Sequence, residues 1–143
     1  MRRTFTITIL FMLLLLTSCS SNQQTLTIDR SNPTIDDHRL TTEILWQMGR
    51  MSGGQVSPDG SKVLYTVTYP SIEQNKSNAE IYVINADGTD NHRITRTDVS
   101  EHQARWTKDG RISFLQQTEA EGMQLFVMNV RGGNRRQITH ITD

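Results

Sequence analysis

The chain has 143 residues, with 15 lysines and arginines against 15 aspartates and glutamates, 35% hydrophobic residues, 6% aromatic residues and one cysteine. That length fits one small domain, and the balanced charge leaves no electrostatic case for a nucleic-acid partner. A single cysteine excludes an internal disulfide framework and a cysteine-based zinc site.

Arg2 and Arg3 precede a run from Phe5 to Leu16 that is apolar apart from Thr6 and Thr8, the layout of a secretory signal peptide over residues 1–18. As a helix this run would rise about 18 Å, short of a hydrocarbon core of about 30 Å, so it does not read as a transmembrane anchor. Leu16-Thr17-Ser18-Cys19 closes it and resembles the lipobox of bacterial lipoproteins. That resemblance makes Cys19 a lipidation site and a membrane tether, because several acyl chains anchor stably where one is marginal. It implies a cell-envelope lipoprotein on the periplasmic side of the outer or inner membrane. Residues 19–39, rich in Ser, Asn, Gln and Thr, read as a flexible tether.

A short lead-in helix is predicted between Leu40 and Met48, within a segment spanning residues 40–51. Thr41 is placed as N-cap, Leu40 and Leu45 form a hydrophobic staple, and Gly49 supplies the stop. Ile44, Leu45 and Met48 share one face, which should pack on the residues downstream of the helix, and Trp46 reads as a core or covering contact.

From Ser52 onward one unit is written twice. Pro58-Asp59-Gly60 recurs as Lys108-Asp109-Gly110 at a separation of 50, while Ile81-Tyr82-Val83-Ile84-Asn85 recurs as Leu125-Phe126-Val127-Met128-Asn129 at a separation of 44. Ile94-Thr95 recurs as Ile138-Thr139 at the same 44. The shrinking offset places one deletion after the second Asp-Gly and a longer loop between Tyr69 and Ala79 in the first unit. Each unit reads as four short strands. In the first they are Gln55 to Ser57, Val63 to Tyr69, Ile81 to Ile84, and a strand around Arg93 to Thr95. Val63, Tyr65, Val67 and Tyr69 alternate with Leu64, Thr66 and Thr68 on the second strand. Asp87-Gly88 and Gly132-Gly133 turn the chain into the fourth strand of each unit, around Arg93 to Thr95 and Arg136 to Thr139. The expected fold is therefore all-β: two four-stranded antiparallel blades of an incomplete β-propeller, residues 52–98 and 99–143, preceded by a short helix and a signal peptide.

Val56-Ser57-Pro58-Asp59-Gly60, then Ile81-Tyr82-Val83-Ile84-Asn85, Asp87-Gly88 and Arg93-Ile94-Thr95 resemble the repeat of TolB-type propellers. They equally resemble the propeller domains of the prolyl oligopeptidase family of serine peptidases. The segment from Leu40 to Arg50 and the insertion from Tyr69 to Glu80 resemble the start of dipeptidyl- or acylaminoacyl-type members. In that family a propeller gates substrate access to an α/β-hydrolase domain whose serine lies in G-x-S-x-G, and no G-x-S-x-G occurs here. The resemblance thus implies the non-catalytic propeller of a secreted, membrane-anchored peptidase acting on oligopeptides, cut between blades, whose substrate is handled by a catalytic domain elsewhere. The other reading is a TolB-like envelope propeller that binds protein partners.

No residue is identified as catalytic, and no cofactor or metal is expected. His38, His92, His102 and His140 lack the spacing of a metal pair. Ser57 lies in a turn, and Asp59 and Asp109 read as turn carboxylates. Arg131, Arg135 and Arg136 read as a solvated cluster, and Trp106 as interblade core. Two blades leave two sheet faces open, so the unit is expected to be marginally stable, self-associating or dependent on further blades.

Metabolic labelling with a fatty acid should mark the wild-type chain and leave Cys19→Ala unlabelled. Equal labelling of both would remove Cys19 as the lipid attachment site.

Overall fold

The computed structural model describes residues 28, 31, 33–35 and 38–142. The signal peptide, Cys19 and most of the proposed tether lie outside these residues. Thr41 caps α1 (Thr42–Gln47), its Oγ1 accepting from the Ile44 amide at 3.3 Å. No residue of α1 is fully buried, and Trp46 lies half-exposed with the Arg50 guanidinium 4.9 Å above its ring. The expected packing stripe is therefore a partial contact, and Trp46 is a surface stack rather than core. Gly49 is not a left-handed stop either, since the helix already ends in the extended Met48. It is a close approach: a Cβ there would sit 2.7 Å from Val67 Cγ1 and 2.9 Å from Tyr69 Cε1.

Two antiparallel sheets come next in the chain, each a four-stranded meander. The first is β1 (Arg50–Val56), β2 (Lys62–Ser71), β3 (Lys76–Asn85) and β4 (His92–Arg93); the second is β5 (Glu101–Trp106), β6 (Ile112–Thr118), β7 (Gly122–Met128) and β8 (Arg136–Gln137). The expected two-blade, all-β architecture is present. The strands are longer than their apolar runs because the ladder extends wherever turn geometry allows. The segment expected as a loop between Tyr69 and Ala79 is mostly ladder, pairing Tyr69 with Asn78, Pro70 with Ser77 and Ser71 with Lys76. Only Ile72 to Asn75 turns, closed by Asn75 N–H donating to the Ile72 carbonyl, with Asn75 accepting a positive φ of 48°.

The Asp-Gly turns repeat atom by atom. Ser57 Oγ donates to Asp59 Oδ1 at 2.6 Å and accepts from Lys62 N–H, while Thr107 Oγ1 donates to Asp109 Oδ1 at 2.5 Å and accepts from Arg111 N–H. The second turn closes one residue earlier, where the repeat's offset placed the deletion. Both hydroxyls are engaged within their turns. Hydrogen bonds from the Ser57 and Ser61 side chains and the Ser61 amide hold the Asp59 carboxyl down to about 2.

The core lies between the blades. Leu64, Ile81 and Val83 of the first sheet pack against Ala104, Ile112, Phe114 and Met128 of the second, with Ile94, Trp106, Phe126 and Val130 around them. On β2 the contact face is thus Leu64 with Thr66 and Thr68, not the bulkier Val63, Tyr65 and Val67 face. Two cross-blade hydrogen bonds bind the first strands together: Gln55 Nε2 donates to the Ala104 carbonyl and Trp106 Nε1 to the Gln55 carbonyl.

Gly132 sits in the last turn with a φ of +79°, and a Cβ on it would land against the Ile94 carbonyl oxygen of the other blade. Gly60 has a φ of +75° but open space around it. Gly132→Ala should therefore cost at least about 2 kcal/mol, from backbone strain and a cross-blade clash, and Gly60→Ala only about 1 kcal/mol from strain. Denaturant titration of the two variants should separate them in that order.

Candidate functional site

The first strand of each blade is bulged at the same place in the repeat. The register breaks between Ser52 and Gln55 in β1 and between His102 and Arg105 in β5. Gly53 and Gln103, fifty positions apart, both take positive φ, 68° and 50°. A bulge re-aims neighbouring side chains and recurs beside functional sites. Here the paired bulges open a cleft of about 330 Å³ between the blades, lined by Ser52, Thr66, Thr68, His102 and Arg105, with Glu101 at its edge.

Glu101 is fully buried. Its Oε1 accepts from Thr97 Oγ1 at 2.7 Å and from Gln116 Nε2 at 3.4 Å, and lies 3.5 Å from Arg135 Nη1. Its Oε2 is buried without a hydrogen-bond partner. Burial pushes this carboxyl above the ordinary carboxylate range, reinforced by Glu80 and opposed by Thr97, Thr95 and Arg135. Glu80, also fully buried, accepts from Thr95 Oγ1 at 2.9 Å and has Arg93 Nη1 at 3.6 Å. Arg135 additionally lies 5.0 Å and 5.2 Å from the ring centroids of Phe114 and Phe126, and its guanidinium bonds Gln116 Oε1.

This buried network corrects the expectation for the basic cluster. Arg131 and Arg136 are exposed, but Arg135 is drawn between the aromatic pair and Glu101. Proximity in sequence suggested one solvated group, whereas the turn sends the three side chains to different environments. Glu80 and Glu101 carry no motif. For Glu80 the signal lies in the repeat itself, where it matches Gln124 at the head of an otherwise apolar run.

Trp106 sits at the blade junction as expected. The histidines stay apart from one another's chemistry. His92 Nδ1 is 2.8 Å from the Asp90 carbonyl, and His140 Nδ1 is 3.2 Å from the Glu121 carboxylate. Among the described residues no group of three or more His, Cys, Asp or Glu side chains is arranged to hold a metal. Ser57, held in its turn, lies outside this cleft, whose hydroxyl, imidazole and guanidinium groups can recognise polar groups.

No protein-family model matches the chain. It is 37% identical over 103 residues, 71% of its length, to dipeptidyl-peptidase 5 of Porphyromonas endodontalis, and 37% identical over 87 residues, 60% of its length, to dipeptidyl-peptidase 5 of Porphyromonas gingivalis. The chain spans only 15% and 13% of those two relatives. An acylaminoacyl peptidase structure from Pyrococcus horikoshii superposes on 69% of the chain, and on 15% of its own, with a TM-score of 0.55 at 17% identity, a likeness of fold alone.

Removing one member of the Arg135–Glu101 pair leaves a buried charge uncompensated, so Arg135→Ala should destabilise by about 3 kcal/mol and Arg131→Ala by less than about 0.5 kcal/mol. Because the folded pKa of Glu101 is raised, its contribution to stability is present at acid pH and fades as pH climbs from about 4.3 through the folded value. In that window wild-type stability should fall with rising pH more steeply than that of Glu101→Gln. Parallel profiles would remove the raised carboxyl.

Proposed function

We propose that the chain is the propeller portion of an envelope-anchored serine peptidase of dipeptidyl- or acylaminoacyl-releasing type. In this reading Cys19 carries the lipid that holds it on the periplasmic side of a membrane, and the blades gate oligopeptide access to a catalytic domain supplied by further sequence. The observation that carries the reading is the 37% identity to dipeptidyl-peptidase 5 over 103 residues, a stretch long enough to take in the paired blades. One further feature supports it: the bulged first strands open a polar cleft between blades, suited to contact with peptide backbone.

The reading frame beyond Asp143 tests the proposal directly. The expected result is further blades followed by an α/β-hydrolase domain with G-x-S-x-G and later Asp and His residues. The product of that frame should release dipeptides or acylated residues from chromogenic substrates, while the 143-residue chain matches the buffer blank. A frame that closes after additional blades would overturn the peptidase reading. Turnover by the 143-residue chain itself would overturn the division of labour between propeller and catalytic domain.

A further inference from the structure

The polar side chains lining the cleft between the bulged first strands differ from those elsewhere in the fold. Ser57, Thr95, Thr97, Thr107 and Thr139 each close on a carboxylate or amide group of the protein itself. In the cleft, by contrast, the hydroxyls of Ser52, Thr66 and Thr68 and the ring of His102 have no hydrogen-bond partner among the described residues. Arg105 donates one N–H to the Ala104 carbonyl at 3.1 Å and makes no ion pair among the described residues. Glu101, at the edge of the cleft, already faces Arg135 at 3.5 Å. The charge left unbalanced in the cleft is therefore positive.

The repeat shows that this chemistry is not required by the fold. Fifty positions earlier, Ser52 stands in the place of His102 and Gln55 in the place of Arg105, and the first blade makes the same bulge with these neutral residues. Thr66 and Thr68 likewise have Leu115 and Gln117 as counterparts in the second blade. They continue the face of β2 that buries Leu64 at the blade contact, and that face turns polar where the bulges part the sheets. Both walls of the cleft thus carry polar groups that their own repeat does without.

We propose that this cleft binds the carboxylate of an oligopeptide, C-terminal or on an acidic side chain, against the Arg105 guanidinium. The His102 ring and the Ser52, Thr66 and Thr68 hydroxyls complete its hydrogen bonds. A hydrogen bond between ionised partners is about twice as strong as a neutral one, so Arg105 sets the selectivity and the hydroxyls set the orientation. One guanidinium balances one negative charge, which matches a carboxylate rather than a phosphate dianion. The proposal rests on the reading of the cleft as a peptide-contact surface and adds which peptide group it selects. The cleft lies between two blades that are both present, so further blades leave it in place.

The test is a titration of the whole chain in a non-ionic detergent, followed through the backbone amide resonances of β1 and β5. Three acetylated alanine peptides serve as probes: one with a free C-terminal carboxylate, one amidated with a central glutamate, and one amidated with glutamine in its place. At least one of the two carboxylate peptides should shift the cleft resonances saturably and bind about tenfold or more tighter than the neutral peptide. The one that does so identifies the terminal or side-chain source, and equal binding of both assigns the shared group. Arg105→Gln should reduce the tighter binding to the neutral level, and His102→Ser should weaken it less. Both are substitutions the first blade already makes, and a cooperative thermal transition is required of each. Should Arg105→Gln fail that requirement, the comparison of carboxylate with neutral peptides on the wild type decides alone. A neutral peptide bound as tightly as the charged ones would overturn the inference while leaving the cleft a peptide-contact surface. No shift in β1 or β5 with any probe would overturn the inference and the cleft's part in peptide contact together.

Discussion

A β-sheet of four short strands has two faces and cannot hide either by itself, so the contact between the blades is what the rest of this molecule depends on. Leu64, Ile81 and Val83 on one side and Ile112, Phe114 and Met128 on the other are all but removed from water. At about 25 cal/mol per Å² of apolar surface this burial is the dominant favourable term for the pair, and it exists only when both blades are folded. The Asp-Gly turns serve that contact. By satisfying their own backbone groups through Ser57 and Thr107, they hold each strand pair in register without drawing on side chains from the interface. Gly132 serves it differently, by letting the last turn of one blade lie against the backbone of the other.

Polar groups hold the segment between the blades. Beyond Ile94, whose amide still donates to the Ile81 carbonyl, the linker to Ser100 is held by side chains. Asn78 Nδ2 donates to the Thr97 carbonyl, Ser100 Oγ accepts from the Ala79 amide, and Glu101 accepts from Thr97 Oγ1. Such bonds are worth little each on balance but are costly to leave unmade, so they define one path for the linker and one offset between the sheets. A buried carboxylate is a poor source of stability, yet it discriminates sharply against displaced arrangements in which its partners are lost.

The turns and the strands that carry apolar runs were legible because their chemistry is local: Asp59-Gly60, Asp109-Gly110 and the Thr41 cap act within a few residues. The packing face of β2 was not. Alternation showed two faces, and Val63, Tyr65 and Val67 form the bulkier one, but a blade is covered on both sides and bulk does not say by which neighbour. The ladder from Tyr69 to Ala79 was hidden by Pro70 and a polar stretch that reads as loop. The bulges were hidden in another way. Gly53 marks one, but Gln103, its counterpart, takes the same positive φ with no residue type to announce it. The half-buried Arg135 was missed because its environment is made by Phe114, Phe126 and Glu101, which are distant in the chain. What lay within reach was the comparison of the repeat with itself.

The repeat also accounts for a pair of substitutions between the blades. Glu80 of the first blade corresponds to Gln124 of the second, and Arg93 to Gln137, so the positions of an ionic pair in one blade carry two neutral amides in the other. The hydroxyl between them is retained: Thr95 Oγ1 accepts from the Ile81 amide and donates to Glu80, and Thr139 Oγ1 accepts from the Leu125 amide and donates to Gln124. Geometry is thus held constant while charge changes, and it changes on both partners together. The neutral version then uses its extra donor. Gln124 Nε2 reaches the Ile141 carbonyl while its Oε1 accepts from the Ile141 amide, so the side chain pins the outgoing segment as a strand would. In the first blade that duty falls to Asn78, because the Glu80 carboxylate has no hydrogen to give. The two blades reach the same hold on the chain that leaves them by different residues, each consistent with the charge it buries.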